Sequence, residues 1–315
     1  MELPLYLVPA IAFALTLLFF PLSRLPKTSR LMAAIAVSAA LFTTPFFVAY
    51  APIDRFCAAL LSAAFWPKIC DTYVGTLHGV RMTFPQYLLF VAHPFSLVWR
   101  KLHLEPRPPL RENLVRLLYG ASLFVLGYGA YHLLKSRDMP HQLMEYFAGV
   151  IPYLIAAYGI TVIAVAGFRF TGIRAREMHY NFFLARTPAD FWRRWNRPAG
   201  QILYEDILKR FRGSRSIALA TLFTFAINGL LHEWIALVTN GVFNGFQMIF
   251  FMLQGLAVLA TRGFKPTGWA VVPWILGTLI FNAFTTMLAF TAFPRVSPIE
   301  VNALNPLPPS ILDLF

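Results

Sequence analysis

The sequence predicts an all-α protein, a polytopic bundle of membrane helices with about eight spans. Composition is the first indication, because 58% of the 315 residues are hydrophobic and only 13% are charged. Soluble domains average about 45–50% apolar and about 25% charged residues. The second indication is that the apolar residues form long unbroken runs, each near the roughly 20 residues of a membrane helix. Strands of an outer-membrane barrel would alternate apolar and polar residues instead.

The apolar runs place the elements in chain order. We expect helices near residues 4–22, 31–50, 113–134, 146–168, 216–239, 244–262 and 269–292. The stretch 56–99 is less regular, since a polar turn around Asp71 to Arg81 separates two apolar runs. We interpret it as one crossing plus an interfacial or re-entrant helix. Residues 1–293 then form a single integral-membrane domain, followed by the tail 294–315, and the first run is a retained span without signal-peptide features.

The charged residues indicate an orientation. The formal net charge is +13, with 27 Lys and Arg against 14 Asp and Glu. With eight spans, most of the basic residues fall in one set of loops, which the positive-inside rule makes cytoplasmic. The excess also suits a polyanionic ligand such as a CoA thioester, whereas nucleic-acid binding fits poorly in so apolar a chain. Cys57 and Cys70 suggest neither a disulfide framework nor a metal site.

The most basic segment, 169–215, predicts a pair of amphipathic helices in the membrane interface. Thr187 is a candidate N-cap, with Pro188 at the first helical position and Asp190 in the first turn. Phe191, Trp192 and Trp195 lie toward one side of this helix and the arginines toward the other. We expect Pro198 and Gly200 to break or kink it. A second apolar face follows, formed by Ile202, Leu203, Ile207, Leu208 and Phe211.

An ionisable pair, His232 and Glu233, interrupts the apolar run from Ile217 to Val238. A charged group inside a membrane costs roughly 2.5–3.5 kcal/mol, so function is the first hypothesis for such residues. Asn228 lies one turn earlier on the same face and is a candidate hydrogen-bond partner for His232. A neutral imidazole held in this way is a suitable general base for an alcohol. Hydrogen bonding between helices is the purely structural alternative.

A zinc-protease site is excluded at this position. The His-Glu-x-x-His motif needs a second histidine one turn later, so that both imidazoles reach one metal. Ala236 occupies that position. We therefore predict no metal ligand set here.

The segment from Phe191 to Pro198 reads Phe-Trp-Arg-Arg-Trp-Asn-Arg-Pro. Tryptophans and arginines beside a membrane often form only an aromatic belt with basic flanks. That explanation does not cover Asn196 at a helix break. Backbone freed by a break is tolerated at membrane depth only where protein or water surrounds it, so Asn196 is predicted to face a cavity.

Together, Phe-Trp-x-Arg-Trp-Asn-x-Pro and the His-Glu pair of the next span resemble the membrane-bound O-acyltransferase family, most closely its wax-synthase-like branch. The resemblance is carried by the motif core, 180–240. It implies many helices around a transmembrane tunnel with His232 deep inside, and acyl transfer from a CoA-type thioester to a hydroxyl. Branches that acylate proteins or polysaccharides commonly have histidine at the position of Asn196. Asparagine implies a sterol, diacylglycerol, wax alcohol or similar hydrophobic acceptor.

The resemblance also implies roles for the site residues. His232 is the base, Asn196 orients the thioester or holds its carbonyl oxygen, and Glu233 orients His232 or braces the helix. Substrate-binding candidates are Trp192, Arg193, Arg194, Trp195, Arg197 and Asn228. Candidates for the donor phosphates are Arg193, Arg194, Arg197, Lys209, Arg210, Arg212 and Arg215. Acyl-CoA is expected as a co-substrate, the lipid bilayer as the environment, and no permanently bound cofactor.

Two other classes of protein stay open at this point. A proton-coupled transporter would use His232 and Glu233 as a relay, although the chain shows neither an internal repeat nor paired broken helices. A non-catalytic scaffold would retain the motif without using it. The acyl chain length and the oligomeric state are not set by the sequence. The remaining histidines are expected in solvated or interfacial positions, with His179 and Asn181 nearest to the motif: His78, His93, His103, His132, His141 and His179.

Overall fold

A computed structural model describes residues 3–48, 51–137, 141–212, 216–294 and 296, and it is helical over most of them. The described residues contain no β-strand, only an isolated bridge between Leu3 and Val48. The all-α prediction is confirmed. In chain order the α-helices are α1 (Leu7–Leu22), α2 (Lys27–Thr43), α3 (Pro52–Leu77), α4 (Phe84–Ala92), α5 (Leu110–Lys135), α6 (Gln142–Arg169), α7 (Pro188–Arg194), α8 (Arg197–Ile202), α9 (Lys209–Arg212), α10 (Ile217–Asn240), α11 (Phe246–Thr261) and α12 (Val271–Thr291).

Five stretches of the described chain are long and apolar enough to cross a membrane: Lys27–Phe47, Leu110–Lys135, Met144–Arg169, Ile217–Asn240 and Gly268–Thr291. Helices α1 and α11 are apolar but have only 16 residues each. A multi-pass membrane protein is therefore the correct class. The count of eight spans and the cytoplasmic side of the basic loops stay predictions.

The sequence reading of residues 56–99 needs one correction. The predicted polar turn beginning at Asp71 is wrong, because α3 continues as a single helix of 26 residues to Leu77. Asp71 is 1% exposed and forms an ion pair with Arg100, with 2.7 Å between the carboxylate oxygen and the guanidinium nitrogen. A carboxylate paired in this way can lie inside a helical core. The predicted short second helix is present as α4.

The chain forms two compact units. The first comprises Met1–Leu104 and Gln201–Phe243. Within it α3 packs against α1, α2, α4 and α10. The buried ammonium group of Lys68 on α3 donates hydrogen bonds to three main-chain carbonyls, those of Phe90 (2.6 Å), His93 (2.7 Å) and Ser96 (3.1 Å). This side chain joins α3 to the end of α4 and to the polar segment that follows it.

The second unit comprises Glu105–Gly200 and Asn244–Phe315. Its helices α5 and α6 approach closely through glycines. A Cβ added at Gly127 would lie 2.5 Å from the backbone nitrogen of Ala156, and one added at Gly159 would lie 2.5 Å from that of Phe124. Small residues at such contacts are typical of packed membrane helices. Helices α11 and α12 pack together in the same unit, and α7 contacts both.

Candidate active site

His232 lies on α10 in the first unit. The helix begins at the N-cap Ser216, whose hydroxyl accepts a hydrogen bond from the Leu219 N–H (3.2 Å), and ends at Gly241 in the left-handed conformation. Phe223 and Leu230 are 40% and 54% exposed and mark its outer face. The partly buried His232 lies about half a turn around the helix from them. The imidazole is therefore directed away from the outer apolar face.

The tautomer of His232 follows from one hydrogen bond. Its Nδ1 lies 2.9 Å from the main-chain carbonyl oxygen of Asn228. A carbonyl only accepts, so Nδ1 carries the proton and Nε2 carries the lone pair. The group of residue 228 that the structure places against His232 is thus the main-chain carbonyl, and a role for the Asn228 side chain stays a prediction. Nε2 has the electronic form that a general base requires.

Glu233 is the adjacent residue and is fully buried, with 0% exposure. Consecutive helix positions point about 100° apart, so its carboxylate and the His232 imidazole leave the helix in different directions. Trp234 follows and packs edge-on against Phe42 of α2, with 4.6 Å between the ring centroids. The pair predicted from sequence thus divides into a partly buried histidine and a core carboxylate.

Asn196 lies in the second unit, directly after the motif helix α7. The predicted start of α7 is confirmed, because the Thr187 hydroxyl accepts a hydrogen bond from the Asp190 N–H at 3.1 Å and Pro188 occupies the first turn. Thr187 is 2% exposed, so this cap is part of the protein core. The helix ends at Arg194, two residues before the asparagine.

The helix breaks at Trp195, which is extended, and at Asn196, so the predicted break or kink at Pro198 and Gly200 is wrong. Asn196 has a φ of 37°, in the left-handed region. Pro198 lies instead in the first turn of α8, where no N–H is needed. The Gly200 N–H donates to the Asn196 carbonyl at 2.9 Å, within the same helix. Asparagine is among the few non-glycine residues that adopt this conformation readily, which explains its position at the break.

The side chain of Asn196 is oriented by the helix that it precedes. Its Oδ1 accepts a hydrogen bond from the Ala199 N–H at 3.4 Å, the arrangement of a helix N-cap. The amide oxygen therefore faces α8. The amide NH₂ is the donor end of the same group, and it is the end that could bind a carbonyl oxygen.

A second segment of chain lies alongside the break and is bonded to it. The Tyr180 N–H donates to the Arg194 carbonyl at 2.9 Å, and the Arg197 N–H donates to the Met178 carbonyl at 2.8 Å. These two bonds lie on either side of Asn196. The conformation of the motif is thus fixed by residues that precede it in the sequence.

His179 completes this arrangement. The Asn196 N–H donates to Nδ1 of His179 at 3.0 Å, and the His179 ring lies 4.2 Å from that of Trp195, centroid to centroid. Burial lowers the pKa of the His179 imidazole to about 4, so it is neutral near pH 7. The expectation of a solvated or interfacial position is wrong for His179 and also for His93, which are 9% and 3% exposed.

Trp192 is anchored by a buried hydrogen-bond network in the second unit. Its indole N–H donates to Oε1 of Gln254 on α11 at 2.9 Å, and the Gln254 amide donates to the Thr285 hydroxyl of α12 at 2.7 Å. Gln254 is fully buried. Sequence reasoning did not identify Gln254, although a glutamine within the apolar run 244–262 was a visible signal. The network ties the motif helix to α11 and α12.

The motif arginines differ in their surroundings. Both Arg193 and Arg194 form ion pairs with Asp190, at 3.4 Å and 3.1 Å, but the Arg193 side chain is 74% exposed and that of Arg194 only 26%. Burial opposes ionisation of Asp190, but its hydrogen bonds with Arg194 and the Arg186 N–H leave the carboxyl pKa lowered. Arg197 lies over the Tyr180 ring at 5.5 Å from its centroid. Of the three arginines in the motif, only Arg193 has a largely exposed side chain.

Further arginines of the second unit lie near this motif and were not singled out from the sequence. Arg116 also lies over the Tyr180 ring, at 5.6 Å, and pairs with Glu177 at 3.2 Å. Arg176 pairs with Glu105 at 3.2 Å. Burial first, and then the nearby charge of Arg176, lower the pKa of the Arg197 guanidinium. The signal for these residues was the basic character of the whole segment.

The later basic candidates belong to the first unit. Lys209 pairs with Glu205 at 2.8 Å, and the Arg210 guanidinium lies 3.4 Å from Nε2 of His78. The predicted amphipathic piece here is helical but contains a π-turn, Leu203–Leu208. Arg215, the side chain of Arg212, and the tail apart from its first residues lie outside the described residues.

Comparison with known proteins identifies the family of the chain. The sequence profile of the membrane-bound O-acyltransferase family matches residues 130–290, slightly more than half of the chain, and the match includes both Asn196 and His232. A search of curated proteins found no match. The apolar helical fold and the matched region define an acyltransferase of membranes. The chain belongs to the membrane-bound O-acyltransferase family.

Proposed function

We propose that this protein transfers an acyl group from acyl-CoA to the hydroxyl of a hydrophobic alcohol, forming a wax-type or other lipid ester. The observation that carries the proposal is the state of His232, whose Nδ1 is committed to the Asn228 carbonyl at 2.9 Å. The other nitrogen then holds the lone pair that proton abstraction needs. Asn196 supports a wax-synthase-like branch and a lipid acceptor.

In the proposed reaction, Nε2 of His232 takes the proton of the acceptor hydroxyl while the oxygen attacks the thioester carbonyl. The carbonyl electrons move to its oxygen, and the tetrahedral intermediate carries the negative charge there. When the carbonyl re-forms, the carbon–sulfur bond breaks and CoA leaves as a thiolate. The imidazolium returns the proton to that sulfur, so the products are an ester and free CoA. This route requires no covalent acyl-enzyme.

Asn196 is proposed as the donor to the carbonyl oxygen. Amide N–H groups aimed at a developing oxyanion typically contribute a factor of about 10²–10³ to kcat. Its Oδ1 is oriented by the Ala199 N–H, which is consistent with a fixed direction for the NH₂ group. Glu233, fully buried, is proposed to brace α10.

Donor binding is assigned to the motif helix. Arg193, which is 74% exposed, and Arg197 are proposed to bind donor phosphates, for which guanidinium groups are well suited. Trp192 and Trp195 are proposed to hold this helix in place. The Asn228 side chain is proposed to contact substrate on the same face as His232.

The test is acceptor-dependent thiol release by purified protein in detergent. Acetyl-, octanoyl- and palmitoyl-CoA are offered with fatty, isoprenoid and sterol alcohols. We expect release of free CoA to depend on one class of alcohol and to be lost in His232→Ala. His141→Ala, at an exposed position, is the matched control and should keep full activity. Equal release by His232→Ala and wild type would reject the assigned base, and a proton-coupled transporter would release no thiol with any pair.

A further inference from the structure

We propose that His179, which lies outside the family motif, is the positioning residue for Asn196. Its imidazole accepts the Asn196 N–H and thereby holds the backbone bend from which the Asn196 amide is directed. The inference rests on the proposed function for the role of that amide. The hydrogen bond itself and its effect on the chain are independent of the reaction.

The donor and the acceptor of this hydrogen bond are fixed by their chemistry. A backbone N–H can only donate, so Nδ1 of His179 carries the lone pair and Nε2 carries the proton. The ring is held by aromatic neighbours, with Trp195 at 4.2 Å and Phe182 at 5.9 Å between centroids. Because His179 is only 9% exposed, water has little access to replace it as acceptor.

The bend at Asn196 needs such a partner. A left-handed backbone is unfavourable for residues other than glycine, although asparagine tolerates it best. Losing the acceptor would leave the Asn196 N–H without its partner, and a buried unsatisfied donor is unfavourable. Residue 196 would regain a partner if Asn196 and the extended Trp195 (ψ 135°) both became right-handed helical, since α7 and α8 would then merge into one helix. That change would rotate the Asn196 side chain away from its present direction.

Several hydrogen bonds cross this segment, among them one from the Arg194 side chain to the Asn181 carbonyl at 3.3 Å. Two others join main-chain groups, those of Tyr180 with Arg194 and of Arg197 with Met178. They tolerate most substitutions. The contact to Asn196 depends on one side chain, which makes residue 179 the position where the bend can be altered without changing the motif.

Two substitutions at residue 179 separate the hydrogen bond from the packing. His179→Asn places an amide oxygen near the position of Nδ1 but removes the ring. His179→Phe keeps a ring against Trp195 but offers no acceptor. We expect kcat for thiol release to fall ~100-fold in the Phe variant, with KM for acyl-CoA within ~2-fold of wild type, since a misdirected group affects the reacting geometry. The Asn variant should retain kcat within ~10-fold.

Hydrogen exchange of the peptide 192–197 provides a readout without catalysis. We expect wild type and His179→Asn to protect its amides and His179→Phe to lose that protection. Protection and kcat that persist in the Phe variant, or an Asn variant as impaired as Phe, would overturn the inference. Wild-type protein that shows the exchange pattern but releases no thiol would refute only the proposed function.

Spectroscopy of the unsubstituted protein covers the case in which a variant does not fold. With ¹⁵N-labelled histidine, His179 should show a non-protonated Nδ1 and a protonated Nε2 near pH 7. Its NMR signals are assigned by selective labelling, or as the histidine signals that are missing from a folded variant at residue 179. A protonated Nδ1 would overturn the inference directly.

Discussion

The backbone N–H of Asn196 donates a hydrogen bond to Nδ1 of His179 across 3.0 Å. His232 has the opposite arrangement, since its Nδ1 lies 2.9 Å from the Asn228 carbonyl and must carry the proton. A main-chain group therefore sets the tautomer of each histidine. The proton is on Nε2 in His179 and on Nδ1 in His232. One histidine is left as an acceptor that holds the chain, and the other carries its lone pair on Nε2.

Removing the Asn228 side chain should lower kcat much less than removing the His232 imidazole. His232→Ala should lower kcat by a factor of about 10²–10⁴, the usual contribution of a general base. Asn228→Ala preserves the carbonyl that orients His232, so we expect kcat within ~5-fold of wild type and the larger effect in KM. Thiol-release kinetics measure both. A kcat for Asn228→Ala as low as that of His232→Ala would show that the side chain, and not the carbonyl, prepares the base.

The role of Asn196 as a donor can be separated from its role as a cap. Asn196→Asp keeps an acceptor for the Ala199 N–H and tolerates the left-handed backbone, but it replaces the NH₂ donor with a carboxylate oxygen. We expect kcat to fall by about 10²–10³, with little change in Tm. Asn196→Gly keeps the backbone freedom without the side chain and should lose a similar factor. Near-normal kcat in either variant would remove Asn196 from the reaction.

The sequence predicted the class of fold because its signals are local. Long apolar runs specify membrane helices, and Thr187 followed by Pro188 specifies a helix start, wherever the rest of the chain lies. The helix break was misplaced because Pro198 is disruptive only within a helix and harmless in its first turn. The chain breaks instead at Trp195 and Asn196, and the Asn196 N–H bonds to His179, a residue 17 positions earlier.

Residues of the candidate site could be predicted from the sequence only where the residue type itself indicates a chemical role. His232 and Asn196 were identified as polar groups in an apolar or aromatic setting. The buried partners His179 and Gln254 were not given roles, because their function depends on contacts between distant segments. The same applies to Asp71, where an ion pair with Arg100 allows a carboxylate inside α3.

Removing Gln254 should destabilise the second unit through Trp192. Gln254→Leu leaves the Trp192 indole N–H without the acceptor it has at 2.9 Å, at a cost of about 1–3 kcal/mol in unfolding free energy. Adding Trp192→Phe removes the donor as well, so the double variant should lose less than the sum of the two single variants. Thermal unfolding in detergent measures this coupling. Strictly additive effects would show that the hydrogen bond contributes nothing to stability.

Stability should depend on pH through His179. Burial lowers the pKa of its imidazole to about 4 from the ordinary value of 6.5, so between these values the unfolded chain binds a proton that the folded protein does not. The free energy of unfolding should therefore fall as the pH falls from about 6.5 toward 4, by at most about 1.4 kcal/mol per pH unit. The ionisable neighbour facing the ring is Tyr158, 6.3 Å away between centroids.

The measurement is Tm in detergent between pH 7.5 and 4.5 for wild type and for His179→Asn, which cannot take up that proton. We expect the wild-type Tm to fall more steeply than that of the variant below pH 6.5, and the two curves to run parallel above it. The difference between the curves isolates His179 from the carboxylates that titrate in both proteins. Parallel curves over the whole range would mean that the His179 pKa is the same in the folded and unfolded chains, and that the imidazole is not held as a neutral acceptor beneath Asn196.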